Sequence, residues 1–449
     1  MANYRKEPPD GGWGWIIVIG VALTNMVNQS LVSLFGLLFG EEIEAMGHGT
    51  MGVALVMNIC SMVTNFSGIV TGPLLKNYSP RLVTFIGVLL TSTGLILSSF
   101  ATNLAHLIIT YSLFTGLGFG LIMPATFLAV KTYFDKKRSQ AVGLSMAGTG
   151  IGQMLMPQLV RYLLDEYGYK GATFILGALS LHGLVGSLLF QPVQWHEKKV
   201  EVDETTSLLS AAPSIAKKPD SVVEVPSKSK SQLENAEIST CVRIWKKICQ
   251  ILDLDLLLDG VFINIIIGLA VVYTASISFS MLFPFYLQEA RGLSRSETAL
   301  SMSLLSAADI VARLSIPYLA SKCGMGNRMT FLVGGLMLAI CRSLVAMQTT
   351  LETVLVASVI CGYVRAATVI NQNLTVSEYC TNEKKLPAAL GLNMVAKGIF
   401  VLTVGQLFGF IRDYTNSYSI CIHVQSSCMI VVMVIWAVEM MVKRSRLDV

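Results

Sequence analysis

The chain has 449 residues, of which 53% are hydrophobic and only 14% charged, with a mean hydropathy of +0.62. A water-soluble protein of this length needs far more polar surface to cover its core, so the bilayer is the solvent for most of this chain. The formal charge of +5 says little by its sum; its distribution along the chain is what informs.

In chain order, a polar tail over residues 1–12 precedes the first apolar run. That run is too long for a signal-peptide core and has no small-residue cleavage site, so it is expected to remain as a membrane helix. Twelve apolar segments follow one another at about 13–37, 50–73, 82–102, 105–130, 141–164, 170–191, 259–288, 296–320, 328–348, 352–376, 385–410 and 416–441. Each is close to the ~20 residues an α-helix needs to cross ~30 Å of hydrocarbon. Glycine-rich stretches inside them, such as 116–120 and 147–152, read as sites of close helix packing. No strand precedes the second of these stretches and no Lys-Ser/Thr follows it, so a nucleotide loop is not indicated.

Residues 192–258 form the one long polar stretch. Its first part is rich in Ser, Lys, Glu and Pro, and reads as a disordered linker. Its end, 241–258, alternates basic and apolar residues at helical spacing and is expected to lie as an interfacial helix. The expected organisation is a six-helix bundle over 13–191, the linker, a second six-helix bundle over 259–441, and a short tail over 442–449. Lys and Arg fix the orientation. On the N-terminal side the short loops and tails carry Arg5, Lys6, Lys76, Arg81, Lys131, Lys136, Lys137, Arg138, Lys322, Arg328, Lys384, Lys385, Lys443, Arg444 and Arg446. The other side carries only Arg161, Lys170, Arg291, Arg295 and Arg412, so both termini are expected in the cytoplasm. None of the nine cysteines falls in an external loop, and no metal-ligand spacing, nucleotide loop or hydrolase motif occurs, so no disulfide framework, metal, cofactor or enzymatic activity is expected.

Two local motifs narrow the class. The first is Asp10-Gly11-Gly12-Trp13-Gly14-Trp15, just before segment 1. The second begins Tyr133-Phe134-Asp135-Lys136-Lys137-Arg138 and runs into segment 5. Read alone, Trp13 and Trp15 are interfacial anchors and the three cations are topogenic. Together, at these helices, they resemble the paired signatures of the monocarboxylate transporter family, solute carrier family 16, within the major facilitator superfamily. Gln140 and Ser145 depart from the second signature. The resemblance implies an all-α membrane protein with twelve helices in two six-helix bundles, working by alternating access. It also implies a small monocarboxylate or organic-anion substrate, with or without protons, and a single-span immunoglobulin-type glycoprotein as a partner. The loop 72–81 looks like a degenerate gating loop of this superfamily, with Lys76 where an acid is usual; no detailed gating role follows from it.

Several charges fall inside the apolar segments. Segment 8 carries Asp309 and Arg313, segment 10 carries Arg365 and segment 11 carries Lys397. A charge at the bilayer centre costs at least ~2.5 kcal/mol, so these groups are expected to face a polar cavity or one another. Asp309 and Arg313 stand four apart, acid first, on one helix face. The resemblance implies that this pair lines the translocation cavity, with Arg313 gripping the substrate carboxylate as a fork. The competing reading is an ion pair that only fixes helix packing. For Arg365 and Lys397 the competing reading is that one of them turns outward and snorkels. Arg342 of segment 9 lies nearer the outer end and is expected to snorkel. Family members that move lactate-like acids with protons carry a Lys on helix 1, and by spacing that position is Ser33 here. Gln153 and Asn371 stand as polar groups for a larger substrate, or as bonds between neighbouring helices. Other substrates in view are aromatic amino acids and larger organic anions carried without proton coupling. A reading of another class is a transport-dead substrate sensor.

Glu204, Leu208 and Leu209 match an acidic dileucine sorting signal. The expected location is the plasma membrane, with endosomal or lysosomal sorting as the variant.

Overall fold

The computed structural model describes residues 4–201 and 252–447. The dileucine residues Glu204, Leu208 and Leu209, and most of the expected linker, lie outside the described residues.

Twelve helical spans account for nearly all of the described chain. They are α1 Trp13–Ala45, α2 Leu55–Asn77, α3 Pro80–Ser98, α4 Leu104–Tyr133, α5 138–167, α6 169–188, α7 Gly260–Ala290, α8 Ser296–Lys322, α9 Asn327–Met347, α10 Leu351–Tyr379, α11 Leu386–Thr415 and α12 Tyr418–Val442. The boundary between α5 and α6 is a single residue. Gly168 adopts φ 62° and ψ −177°, a region essentially closed to residues with a Cβ, and this turns one continuous helical run into two crossings. Elsewhere the helices run on through Pro73, Pro124, Pro157, Pro284 and Pro317. Wider turns occupy Ile108–Thr115 of α4 and Tyr286–Ala290 of α7. Halfway along α1 the helix tightens into a 3₁₀ turn, Gln29–Leu34, which contains Ser33.

Both ends of the chain lie on one face. Strand β1 (Tyr4–Glu7) pairs antiparallel with β2 (Lys198–Glu201), Tyr4 opposite Glu201, tying the N-terminus to the chain leaving α6. These strands fall in stretches expected to be a tail and a disordered linker; composition misses them because each is made by a partner remote in sequence. Near the end of α12, Glu439 accepts from Asn264 at the start of α7 and from Arg328 at the start of α9, both at about 2.7 Å or less. The end of the expected interfacial helix is different in kind. Leu254–Leu258 is a short 3₁₀ turn lying against the seam between α2 and α11.

Within each bundle small residues let the helices touch. Across the bundles two seams form, α2 with α11 and α5 with α8. Gly68 and Gly391 face each other so closely that a Cβ on either would strike the other's carbonyl oxygen. On the second seam a Cβ at Gly143 would meet the Arg313 carbonyl oxygen at 2.5 Å and the Pro317 ring at 3.0 Å. Both contacts lie in the half of the membrane nearer the termini. The polar ties between bundles gather there too: Lys131 to Glu383 at 2.8 Å, Ser139 to Asn327 at 2.8 Å, and Lys76 to Asp253 at 2.8 Å. Lys131 holds the Glu383 carboxyl below the usual carboxylate range. A carboxylate with a depressed pKa contributes its stabilisation above its ordinary pKa and loses it only as the pH falls through the lowered value. This tie therefore persists at neutral pH. The face bearing the termini is closed.

Candidate functional site

The two signature motifs meet as one structure. Asp10, held at φ 48°, accepts hydrogen bonds at one carboxylate oxygen from the backbone N–H groups of Asp135 (2.8 Å), Lys136 (3.1 Å) and Lys137 (3.4 Å). Its own N–H donates to the Tyr133 carbonyl at 3.2 Å. The carboxylate thus caps the amides at the entrance to α5, where a negative charge is favoured. Around it Trp15 packs on Phe134 with ring centres 5.0 Å apart, and Phe134 also presses on Gly14, where a Cβ would come within 2.9 Å of the ring. Trp13 donates to the Leu189 carbonyl at 3.1 Å and stacks on His196 at 5.5 Å, so it clamps α1 to the exit of α6 as well as marking the interface. Tyr133 donates to the Gln191 carbonyl at 3.0 Å. Lys136 and Lys137 enter this clamp only through their backbone amides, while Arg138 donates from Nε to the Phe134 carbonyl at 3.2 Å and pairs with Asp135 at 2.8 Å. Asp10→Ala is expected to lower stability by about 1–2 kcal/mol, the scale of a hydrogen-bonded charged group. The check is the thermal unfolding midpoint in detergent, and an unchanged midpoint would show that the amides find another acceptor.

The buried ion pair lies at the α5–α8 seam. Arg313 Nε donates to Asp309 Oδ2 at 2.7 Å, and both residues are almost wholly buried, at 3% and 2% exposure. Arg313 Nη1 also reaches across the seam to the Met146 carbonyl of α5 at 2.9 Å. The second carboxylate oxygen of Asp309, Oδ1, is buried without a hydrogen-bond partner. The pair is therefore one-pronged: the fork of the guanidinium is split between its own helix and the opposite bundle. An acceptor left open and a donor engaged elsewhere are an arrangement that a second carboxylate can rearrange.

The remaining charges sit in the same bundle. Lys397 is buried, donates to Gln372 Oε1 at 2.9 Å and lies 4.9 Å from the centre of the Tyr273 ring. Arg365 is half-buried on α10. Arg342 corrects the expectation from sequence. It does not snorkel: its side chain is 1% exposed, donates to Ser276 Oγ at 2.9 Å, and stands 4.7 Å from the Phe279 ring centre. Distance from a helix end says nothing about which face a residue occupies, and here the face is packed by α7 and α12. Among the described residues no carboxylate lies within salt-bridge distance of Arg342, Arg365 or Lys397. The interior of the second bundle thus carries one acid and four cations.

The polar candidates divide. Asn371 donates to the Ala367 carbonyl of its own helix at 2.8 Å and lines a small crevice with Gln140, Asn327 and Pro317, the last one turn beyond Arg313 on α8. Gln153 is half-buried on α5, beyond Gly150, which packs on Ile310 of α8. Tyr273 and Gln372, the partners of Lys397, carry no sequence signal, because an aromatic and an amide in an apolar run are common. Met146 contributes only a backbone carbonyl, which no side-chain pattern encodes.

The sequence matches the profile of the Major Facilitator Superfamily over residues 12–405. Among curated proteins it is 28% identical over 444 residues to human monocarboxylate transporter 12, covering 98% of this chain and 83% of that protein. It is 33% identical over 213 residues to bovine monocarboxylate transporter 13, covering 47% of this chain and 50% of that protein. With chicken monocarboxylate transporter 9 it shares 33% identity over 227 residues, 46% of this chain and 45% of that protein.

Proposed function

Because the chain belongs to the Major Facilitator Superfamily and its relatives are named monocarboxylate transporters, we propose that it carries monocarboxylate-type organic anions across the membrane by alternating access. The observation that carries this reading is Arg313. It is a buried cation whose donors are divided between Asp309 on its own helix and the Met146 carbonyl of the other bundle.

A substrate carboxylate entering from the face opposite the termini competes for that fork. Bidentate capture of the carboxylate by Arg313 takes its Nη1 away from Met146 and loosens the α5–α8 seam. Binding energy is thereby converted into freedom of the two bundles to move, which alternating access requires. Asp309, released from its partner, keeps its charge or takes up a proton on its open oxygen Oδ1. Lys397, Arg365 and Arg342 give the bundle a standing positive potential that draws an anion in. In this reading the termini face is cytoplasmic, as the excess of basic residues there implies.

The test is uptake of a labelled panel by cells expressing the protein at the surface: short monocarboxylates, aromatic amino acids and larger organic anions. Saturable uptake of at least one carboxylate, above that of cells expressing Arg313→Lys at equal surface level, is the expected result. Uptake confined to uncharged or cationic solutes would refute it.

A further inference from the structure

Residues 252–259, immediately before α7, lie across the seam between the bundles. Leu252, Leu254 and Leu257 line an apolar crevice of about 230 Å³ together with residues 68–73 of α2 and 388–395 of α11. The segment is pinned to the second bundle twice: Asp255 pairs with Lys385 at the start of α11, and Asp259 accepts from the Tyr379 hydroxyl at the end of α10. It also caps α7, the Asp259 carboxylate accepting from the Val261 N–H at 2.9 Å. Lys385 holds the Asp255 carboxyl below its ordinary range. So fixed, the segment presents Asp253 to the first bundle, where Lys76 meets it at 2.8 Å. Asp253 stands at φ 47°, a left-handed conformation uncommon outside glycine, which aims its side chain at α2 and not along the strap.

We propose that residues 252–259 are a latch, carried by the second bundle, that closes the termini face by laying its leucines along the α2–α11 crevice and pairing Asp253 with Lys76. The strap supplies, from the second bundle, the charge that matches Lys76 of the first. The glycine pair Gly68 and Gly391 lies directly beneath the strap, so the contact that must part for the termini face to open is the one it covers. Each of these ion pairs is partly exposed, with Lys76 at 31% and Asp253 at 13%, and contributes a bias of only a few-fold. The latch is therefore suited to release in every cycle and to strengthen closure without freezing it.

The inference rests on the alternating-access reading but its test uses no substrate. Met394 is 6% exposed in the α2–α11 seam, beside Gly68. In unsealed membrane sheets, Met394→Cys is labelled with a maleimide and read by peptide mass spectrometry, with exposed Cys323 as the access control and fully buried Cys421 as the folding control. Lys76→Asp or Asp253→Lys alone sets like charges against each other and should raise the labelling rate at position 394 roughly three- to tenfold. Combining the two substitutions should return it to the starting rate. Unchanged labelling in the single variants overturns the latch, as does a double variant as reactive as the singles. An equal rise at Cys421 overturns it too, since that is unfolding and not release. Seam opening in a protein that moves no carboxylate would leave the latch standing and remove the transport reading.

Discussion

Arg313→Lys is expected to reduce carboxylate uptake by at least tenfold while leaving the amount of protein at the surface unchanged. Lysine keeps the charge, and its ammonium can still bond either Asp309 or the Met146 carbonyl. It cannot hold both at the present angles, nor offer a carboxylate two parallel bonds. Arg313 now spends Nε on Asp309 at 2.7 Å and Nη1 on Met146 at 2.9 Å. Asp309→Asn should be at least as damaging, because it leaves a buried guanidinium without its counter-charge, a change that costs about 3–5 kcal/mol when nothing compensates. The two variants separate the roles. If the pair only fixes packing, Arg313→Lys transports normally at normal surface level and Asp309→Asn shows itself as lost expression. If the pair binds substrate, Arg313→Lys is present at the surface and inactive, whatever Asp309→Asn does to expression. Transport rate per surface molecule decides between them.

Lys397→Gln is expected to raise the KM for monoanions roughly tenfold and for zwitterions by less than threefold, taking a bond to a charged donor at about 1.5 kcal/mol. The residue is buried against Tyr273 and Gln372 with no carboxylate partner among the described residues, so its charge is free to act on a bound anion. The same surplus of cations bears on energy coupling. A proton-coupled carrier needs a group that takes up a proton only with substrate, and a cation facing that group works against protonation. Helix α1 brings no Lys or Arg, while α8, α9, α10 and α11 bring Arg313, Arg342, Arg365 and Lys397. The expected behaviour of such a site is to accept an anion without prior protonation. An imposed inward pH gradient should therefore change the initial rate in proteoliposomes by less than about twofold. Strong acceleration that a protonophore abolishes would mean that the site protonates in spite of its charge.

Much of this architecture is legible in the sequence. Apolar runs gave twelve spans because hydrocarbon thickness imposes one length on every helix. The interruption between segments 5 and 6 falls at Gly168, where the chain needs a conformation open only to glycine. Asp309 and Arg313 were readable because their spacing puts them on one face whatever the packing. What the sequence hides is who sits opposite. Asp10 reads as the first residue of a signature motif with no task legible from its neighbours, yet it caps amides 125 and more residues away. Arg342 reads as near an end, yet it is turned inward by its neighbours on α7 and α12. Lys76 looks like a lost gating acid until Asp253 is seen against it. Each of these is a tertiary pairing, set by how helices stack and not by any local pattern.

The most direct measurement for the whole account is counterflow with the purified protein in liposomes. Vesicles preloaded with an unlabelled carboxylate from the uptake panel are diluted into a trace of the same labelled compound. A carrier that alternates with the substrate bound will draw the label in transiently above its equilibrium level, and the Arg313→Lys protein will not. Substrate-induced stabilisation of the wild-type protein without any counterflow would contradict the account and establish a sensor in place of a carrier.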